Sequence, residues 1–214
     1  MIGSRSLRAV LFDWDGTLAD SAEASFRCYV RTFGDFGIAF DREAYARTYS
    51  PNWYVTFRSV GLLEEHWREA DAKWLAYFAE ESIHLIDGAR EALDLLDRRN
   101  IVRGIVTSGS RDRIVRELQH HDVGRHFVHV ICGTDVREKK PHPEALQLCL
   151  ERIGVSSAET AYVGDSPEDV QMARAAGVAS VAIRGSYPNV DALLASGPDF
   201  LADSLTDAVH HLLS

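Results

Sequence analysis

The chain has 214 residues, 46% of them apolar and 26% charged, enough to bury a sizeable core as one large domain or as a core with a smaller insert. Its formal net charge of -9 argues against a nucleic-acid backbone or an anionic membrane as the main partner, and any phosphate it binds must meet local positive charge, for which a divalent cation is the obvious source. Cys28, Cys132 and Cys149 are odd in number without CxxC spacing, Met1 to Arg8 holds no apolar run for a signal peptide, and no stretch approaches the roughly 18 apolar residues of a membrane span, so the expectation is a cytoplasmic, soluble protein with its cysteines reduced and buried.

Ala9 to Phe12 is a short continuous apolar run that ends at Asp13, the pattern of a strand buried on both faces. The following stretch has no convincing strand and carries most of the aromatics. Phe26, Tyr29, Val30 and Phe33 fall on one helical stripe, and Trp67, Ala70, Trp74 and Tyr77 on another. Residues 19–85 are therefore expected to form an inserted helical cap, joined near Leu18-Ala19 and Leu85-Asp87 to a core made of residues 1–18 and 86–214. From Asp87 onward strands and helices alternate. Ala89, Ala92, Leu93 and Leu96 mark a helix with Asp87 as its N-cap, and Val102 to Thr107 is a strand with Gly104 inside it. Ile114, Val115 and Leu118 mark a helix capped by Ser110, before a strand over Val128 to Cys132. Pro143 suits the first position of a helix carrying Ala145, Leu146, Leu148 and Leu150. A strand over Thr160 to Val163 precedes a helix with Val170, Ala173 and Ala176, ended by Gly177. Strands over Ala179 to Ile183 and Phe200 to Ala202 and a helix from about Leu205 to Leu213 complete the chain. This alternation predicts an α/β fold, a doubly wound parallel sheet with helices on both faces.

In such a sheet the carboxyl ends of the strands open into one crevice. Four polar groups follow predicted strands: Asp13-Trp14-Asp15-Gly16-Thr17, Thr107-Ser108-Gly109, Lys140-Pro141, and Gly164-Asp165-Ser166-Pro167-Glu168-Asp169. Asp13 and Asp15 lie two apart and need a counter-charge; Asp165 and Asp169 add carboxylates, so a hard cation with oxygen ligands is expected. Mg²⁺ fits best, since it binds through a few carboxylates, water and a substrate phosphate, and it would let an anionic nucleophile approach an anionic substrate. Lys140 would add positive charge on another phosphate oxygen, and the Thr107 hydroxyl with the backbone N–H groups of Ser108 and Gly109 would orient the rest.

Other readings of the same residues were weighed. Asp-x-Asp-Gly opens calcium loops, but an EF-hand needs glycine where Leu18 stands. Asp165 and Asp169 alone would read as a helix cap and a first-turn acid, Lys140 as a solvated lysine, and Thr107 as a strand-end polar residue. His120, His121, His126 and His129 match no zinc spacing and suit a surface or helix-end role. The segment Ser50 to Arg58 could touch a leaving group or only pack the cap, and Trp67 with Trp74 reads as core or interface. Arg98-Arg99 and Glu64-Glu65 read as solvated helix surface.

Taken in order, the four groups resemble the motifs of the haloacid dehalogenase superfamily, in its phosphatase branch with a helical cap. DxDGT stands at Asp13 to Thr17 within FDWDGTLADS, the strand-end Thr is Thr107, Lys before Pro is Lys140-Pro141, and GDSxxD is Gly164 to Asp169. The resemblance spans nearly the whole chain. It implies that Asp13 attacks phosphorus to form an aspartyl-phosphate, that Asp15 is the general acid/base, and that the metal is held by the Asp13 carboxylate, the Asp15 backbone carbonyl and Asp165, with Asp169 acting through water or Lys140. Asp15 argues against halide chemistry, which needs no proton for the leaving group, and against phosphonate-cleaving relatives, which share the DW start but carry Ala at that position. A mutase recognition loop is not found. The implied activity is Mg²⁺-dependent hydrolysis of a small phosphorylated metabolite, a phosphoglycolate-like or sugar phosphate, by a monomer or homodimer. A mutase, a phosphonate hydrolase and a non-catalytic phospho-ligand sensor are the alternatives.

Overall fold

The apolar run Ala9–Phe12 forms β1, the innermost strand in a computed structural model that describes residues 7–214. The sequence reading of Met1 to Arg8 falls mostly outside those residues. All four residues of β1 are fully buried, because the strand is covered on both faces. After it come β2 (Ala19–Asp20) and four helices, α1 (Ala22–Asp35), α2 (Arg42–Thr48), α3 (Trp53–Ser59) and α4 (Trp67–Phe78). The chain returns through β3 (His84–Leu85), which pairs antiparallel with β2 at Ala19–Leu85 and Asp20–His84. No strand is expected in this stretch from sequence. The correction is small, since β2 and β3 are two residues each and exist only as each other's partner.

The rest alternates: α5 (Ala89–Arg98), β4 (Val102–Val106), α6 (Arg111–His120), β5 (His129–Ile131), α7 (Glu144–Ile153), β6 (Thr160–Gly164), α8 (Pro167–Ala175), β7 (Ala179–Ile183), α9 (Val190–Ala195), β8 (Phe200–Ala202) and α10 (Leu205–Leu213). The six-stranded sheet has the order β5-β4-β1-β6-β7-β8 and every pairing in it is parallel. The chain builds outward from β1 through β4 to β5, then crosses back to β6 and builds outward the other way. The order reverses at β1, which places the crevice there.

Strand alternation divides the core in two. Val10 and Phe12 of β1 pack with Ala92, Leu93, Leu96 and the α10 residues Ala208 and Val209 on one face. Leu11 packs with Val106, Leu146, Cys149, Tyr162 and Met172 on the other. Gly104 is required in β4, because a Cβ there would stand 2.8 Å from the Leu11 side chain and 3.1 Å from Cys149 Sγ. The three cysteines are unpaired and buried, and burial pushes their thiols up, to about 12 for Cys28, 11 for Cys132 and 12 for Cys149.

A separate aromatic cluster holds α1 to α4 together: Tyr29, Phe33, Phe40, Tyr45 and Phe57 are buried in it, with Ala70 of α4. Tyr187, from the loop after β7, joins this cluster and stacks on Tyr49 at 4.5 Å between centroids. Some expectations need correcting. Val30 and Val115 are exposed, because the apolar arc of each helix is narrower than a run of adjacent apolar letters suggests. The cap of α5 is Gly88 rather than Asp87; it sits at φ 80°, and a Cβ on it would meet Thr206 Oγ1 at 2.4 Å. Pro143 is the residue before α7 rather than its first. His126, which ends the short 3-10 turn Gly124–His126, is buried beside Asp97, and His121, at the C-terminal end of α6, is buried too, so both stand at helix ends but not at the surface. No helix among the described residues is long and apolar enough to cross a membrane.

Candidate active site at the ends of three adjacent strands

Because β4, β1 and β6 are neighbours, the residues that follow them meet. Asp13 continues β1, its N–H donating to Val163 O at 2.9 Å. The chain then turns at Gly16, φ 78°, where a Cβ would collide with Asp165 Oδ2 at 2.2 Å; Gly185 approaches the same carboxylate from the other side, with a Cβ position 2.6 Å away. Two glycines thus make room for the Asp165 carboxylate beside the β1 turn. Thr17 donates its hydroxyl to Asp165 Oδ1 at 3.2 Å.

Asp169 is the most heavily engaged group. Its Oδ2 accepts from the backbone N–H groups of Asp165 and Ser166 at 3.2 and 3.1 Å and from Ser166 Oγ at 2.7 Å. Its Oδ1 accepts from Lys140 Nζ at 2.7 Å, and the Tyr162 hydroxyl, whose one proton goes to Val106 O, lies 3.2 Å from it. Ser166, not Asp165, is the N-cap of α8, and Ser166 and Asp169 form a reciprocal capping box with Pro167 between them. The Asp13, Asp165 and Asp169 carboxylates lie close enough, within 4.8 Å of one another, to hold a metal ion. Proximity and occupancy disagree for Asp169, however. Four donors already use its two oxygens, which leaves Asp13 and Asp165 as the available ligand carboxylates.

Lys140 Nζ lies 2.9 Å from Asp13 Oδ1, near enough for charge attraction, but Oδ1 accepts no well-directed hydrogen bond from the described residues. A buried carboxylate oxygen with only a poorly directed ammonium beside it has room for a further positive partner. The charges agree. Burial pushes the Asp13 carboxyl up to about 7, with Asp169 and Asp15 adding to the effect and Lys140 opposing it. Burial, then Asp169 and Asp13, pushes Asp165 up as well. Lys140 itself is held charged: burial disfavours the ammonium, but Asp13 and Asp169 outweigh it. Three buried carboxylates share one lysine, and a cation is what would let Asp13 and Asp165 ionise.

Asp15 faces elsewhere. Its Oδ1 accepts from Ser21 Oγ at 2.7 Å and from Arg113 Nη1 at 2.9 Å, and Arg113 Nη2 bonds its Oδ2. Burial alone would raise the Asp15 carboxyl; the Arg113 guanidinium overrides it and holds the group below its ordinary value. Asp15 therefore lies outside the carboxylate group that could hold a metal, and only its backbone could join that site. Thr107 and Lys140 are buried at the site. The Thr107 hydroxyl accepts from Gly109 N–H at 3.2 Å, and Ser108 Oγ is buried without a partner.

Sequence reasoning missed Arg113, Ser21, Tyr162 and Tyr187. Tyr162 donates to Val106 O at 2.7 Å and so ties β6 to the end of β4. Arg113 stands on the first turn of α6, with Glu117 at 3.2 Å and the Phe78 ring at 4.9 Å. The signal that could have found it is position alone: a charged residue soon after a strand-end Thr-Ser-Gly, on a helix whose other apolar-facing residues are Ile114 and Leu118.

A family model described as haloacid dehalogenase-like hydrolase matches residues 10–183. The chain is 30% identical over 210 residues to the pyrophosphatase PpaX of Bacillus velezensis, covering 96% of each protein. It is 28% identical over 223 residues to the phosphoglycolate phosphatase of Vibrio parahaemolyticus, covering 95% of each. Among solved structures, a hydrolase from Pseudomonas syringae superposes with a TM-score of 0.85 at 22% identity, covering 96% of this chain and 97% of that one, which speaks for the fold alone. CbbY from Rhodobacter sphaeroides, in complex with phosphate, has a TM-score of 0.77 at 25% identity, covering 94% of this chain and 96% of that one.

Proposed function

We propose that this chain, which belongs to the haloacid dehalogenase-like hydrolase family, is a Mg²⁺-dependent phosphatase that hydrolyses a small phosphate monoester at Asp13. The observation that supports this reading is the charge imbalance at the ends of β1 and β6: Asp13, Asp165 and Asp169 against Lys140 alone, with Asp13 Oδ1 accepting no well-directed hydrogen bond from the described residues. The names of its relatives, pyrophosphatase and phosphoglycolate phosphatase, and the phosphate held by one structural neighbour point to the same chemistry.

Asp13 and Asp165, with the Asp15 backbone carbonyl, would hold Mg²⁺, which supplies positive charge opposite the phosphate and the nucleophile. The chain's own residues do the rest. A carboxylate oxygen of Asp13 forms a bond to phosphorus as the ester P–O bond breaks, and the electron pair leaves on the alcohol oxygen. Asp15 gives that oxygen its proton, then takes one from the water that attacks the aspartyl-phosphate and restores Asp13. Paired with Arg113, Asp15 is ionised, the form that accepts a proton; to donate one it must part from Arg113. Lys140 and Thr107, with the N–H groups of Ser108 and Gly109, hold the phosphate oxygens, and Asp169 fixes Lys140 in place. Residues 19–85 act as the cap over this site.

Phosphate release from p-nitrophenyl phosphate and a panel of esters, with and without Mg²⁺, tests the proposal beside Asp13→Asn. Release that needs Mg²⁺ and disappears in the variant is expected. Full activity in EDTA, or in the variant, would sink it.

A further inference from the structure

The cavity beside Asp13, about 110 Å³, has two unlike sides. The strand ends supply Asp13, Asp15, Thr107 and Ser108. The helical segment supplies Tyr29, Trp53, Phe57 and Trp74, together with the carboxylate of Asp71. The second side is where the alcohol part of an ester must sit when its phosphate meets Asp13.

The charges on that side are informative. Arg113 is the only cation lining the cavity among the described residues; Asp15 and Glu117 engage both its Nη atoms, and its Nε is buried without a partner among the described residues. Asp71 has no ion pair within 4.0 Å and no hydrogen bond among the described residues. Lys139 is the nearest opposing charge, but its Nζ donates to Gly133 O at 3.1 Å and lies 4.3 Å from the centre of the Trp53 ring. Burial pushes the Asp71 carboxyl up and Lys139 draws it back.

The aromatic surface points the same way. The indole N–H groups of Trp53 and Trp74 have no partner among the described residues and are out of reach of solvent, so what each half-buried side chain leaves accessible is ring carbon, and the Trp53 ring already carries one ammonium, that of Lys139. Ring faces around a lone carboxylate make a poor seat for an anion. A carboxylate or a second phosphate would be repelled by Asp71, while the nearby cations are already engaged: Arg113 is paired with Asp15 and Glu117, and Lys139, outside the cavity lining, acts on Asp71 itself. A cation instead gains from the ring quadrupoles and from the carboxylate.

We propose that the alcohol released from the ester carries an ammonium group, seated against Trp53 and Trp74 and paired with Asp71. This rests on the phosphatase reading above and departs from the acidic leaving groups that the relatives' names imply. The small cavity favours a short amino alcohol over a nucleoside or a long chain.

The experiment compares kcat/KM, with Mg²⁺, for matched pairs of esters: 2-aminoethyl phosphate against propyl phosphate, and trimethylammonioethyl phosphate against 3,3-dimethylbutyl phosphate. Phosphoglycolate, pyrophosphate and p-nitrophenyl phosphate are run beside them. The charged member of at least one pair is expected to lead its neutral isostere by about tenfold. Asp71→Asn is expected to bring that ratio toward one, and Asp71→Glu to keep part of it, with thermal unfolding confirming that both variants are folded. Turnover of p-nitrophenyl phosphate without an ammonium preference, a preference for phosphoglycolate or pyrophosphate, or an unchanged ratio in Asp71→Asn overturns this inference and leaves the phosphatase reading standing. Failure to release phosphate from every ester overturns both.

Discussion

The strand ends and the helical segment face each other across one cavity, and they are built on opposite plans. At the strand ends the polar groups are tied to one another: Asp169 alone accepts four hydrogen bonds, and Lys140 bridges it to Asp13. Across the cavity the helices present rings packed on rings, Tyr29 on Phe33 and Tyr54 on Trp67, with Asp71 as the one carboxylate that they bring to the cavity lining. Hydrogen bonds and charges are directional, so the first plan fixes positions to a few tenths of an ångström. Aromatic packing constrains shape far less, so the second plan leaves room for substitution. Chemistry needs the first kind of precision, and choosing among leaving groups can be done with the second.

The comparison yields predictions, and the largest effects belong on the strand side. Asp13→Asn should lower kcat on any ester by roughly a thousandfold or more while the unfolding temperature stays near that of the parent; a fold that collapses with the activity would mean that Asp13 is structural. Asp169→Ala should cost about 3 kcal/mol in urea unfolding, because Lys140 loses its better partner and the N–H groups of Asp165 and Ser166 lose their acceptor. Arg113→Gln should cost about 2 kcal/mol near neutral pH. Its pH dependence has a definite sign. Asp15 is held below its ordinary 3.8 in the fold, so the stabilisation is complete above that value and is lost as pH falls through the folded-state one. The gap between parent and variant should therefore narrow in acid, and a gap that widens there would show that the pair is not what Arg113 stabilises. On the helical side, Val30→Thr, at an exposed position of α1, should stay within about 0.5 kcal/mol of the parent. A loss of several times that would mean that this face of α1 is covered in solution.

The same contrast explains what could be read from the sequence. β1, β4, β6 and β7 are legible because a strand covered on both faces must be apolar at every position, and Ala9 to Phe12 or Ala179 to Ile183 have no other comfortable place. Asp13, Thr107, Lys140, Asp165 and Asp169 are legible because each follows such a run, and a parallel sheet brings those ends together. Arg113 is not, because its meaning depends on how far α6 has turned when it passes Asp15. Asp71 is not either: one acid on an amphipathic helix reads as solvated surface until the neighbouring Trp53 and Trp74 are in place. β2 and β3 carry no signal of their own, since two residues have no periodicity. The burial of His126 is not legible, because the partner that lets it be buried, Asp97, lies on another element.

That two-residue ladder has a consequence for how such a molecule can diversify. Because Ala19 pairs with Leu85 and Asp20 with His84, the chain leaves the sheet's neighbourhood and re-enters it at points about 5 Å apart. Whatever lies between them is a graft with a single narrow stem. A segment of another length or another lining could be spliced onto the same stem without moving β1 or α5, so the alcohol side of the cavity is free to drift while the phosphate side stands still.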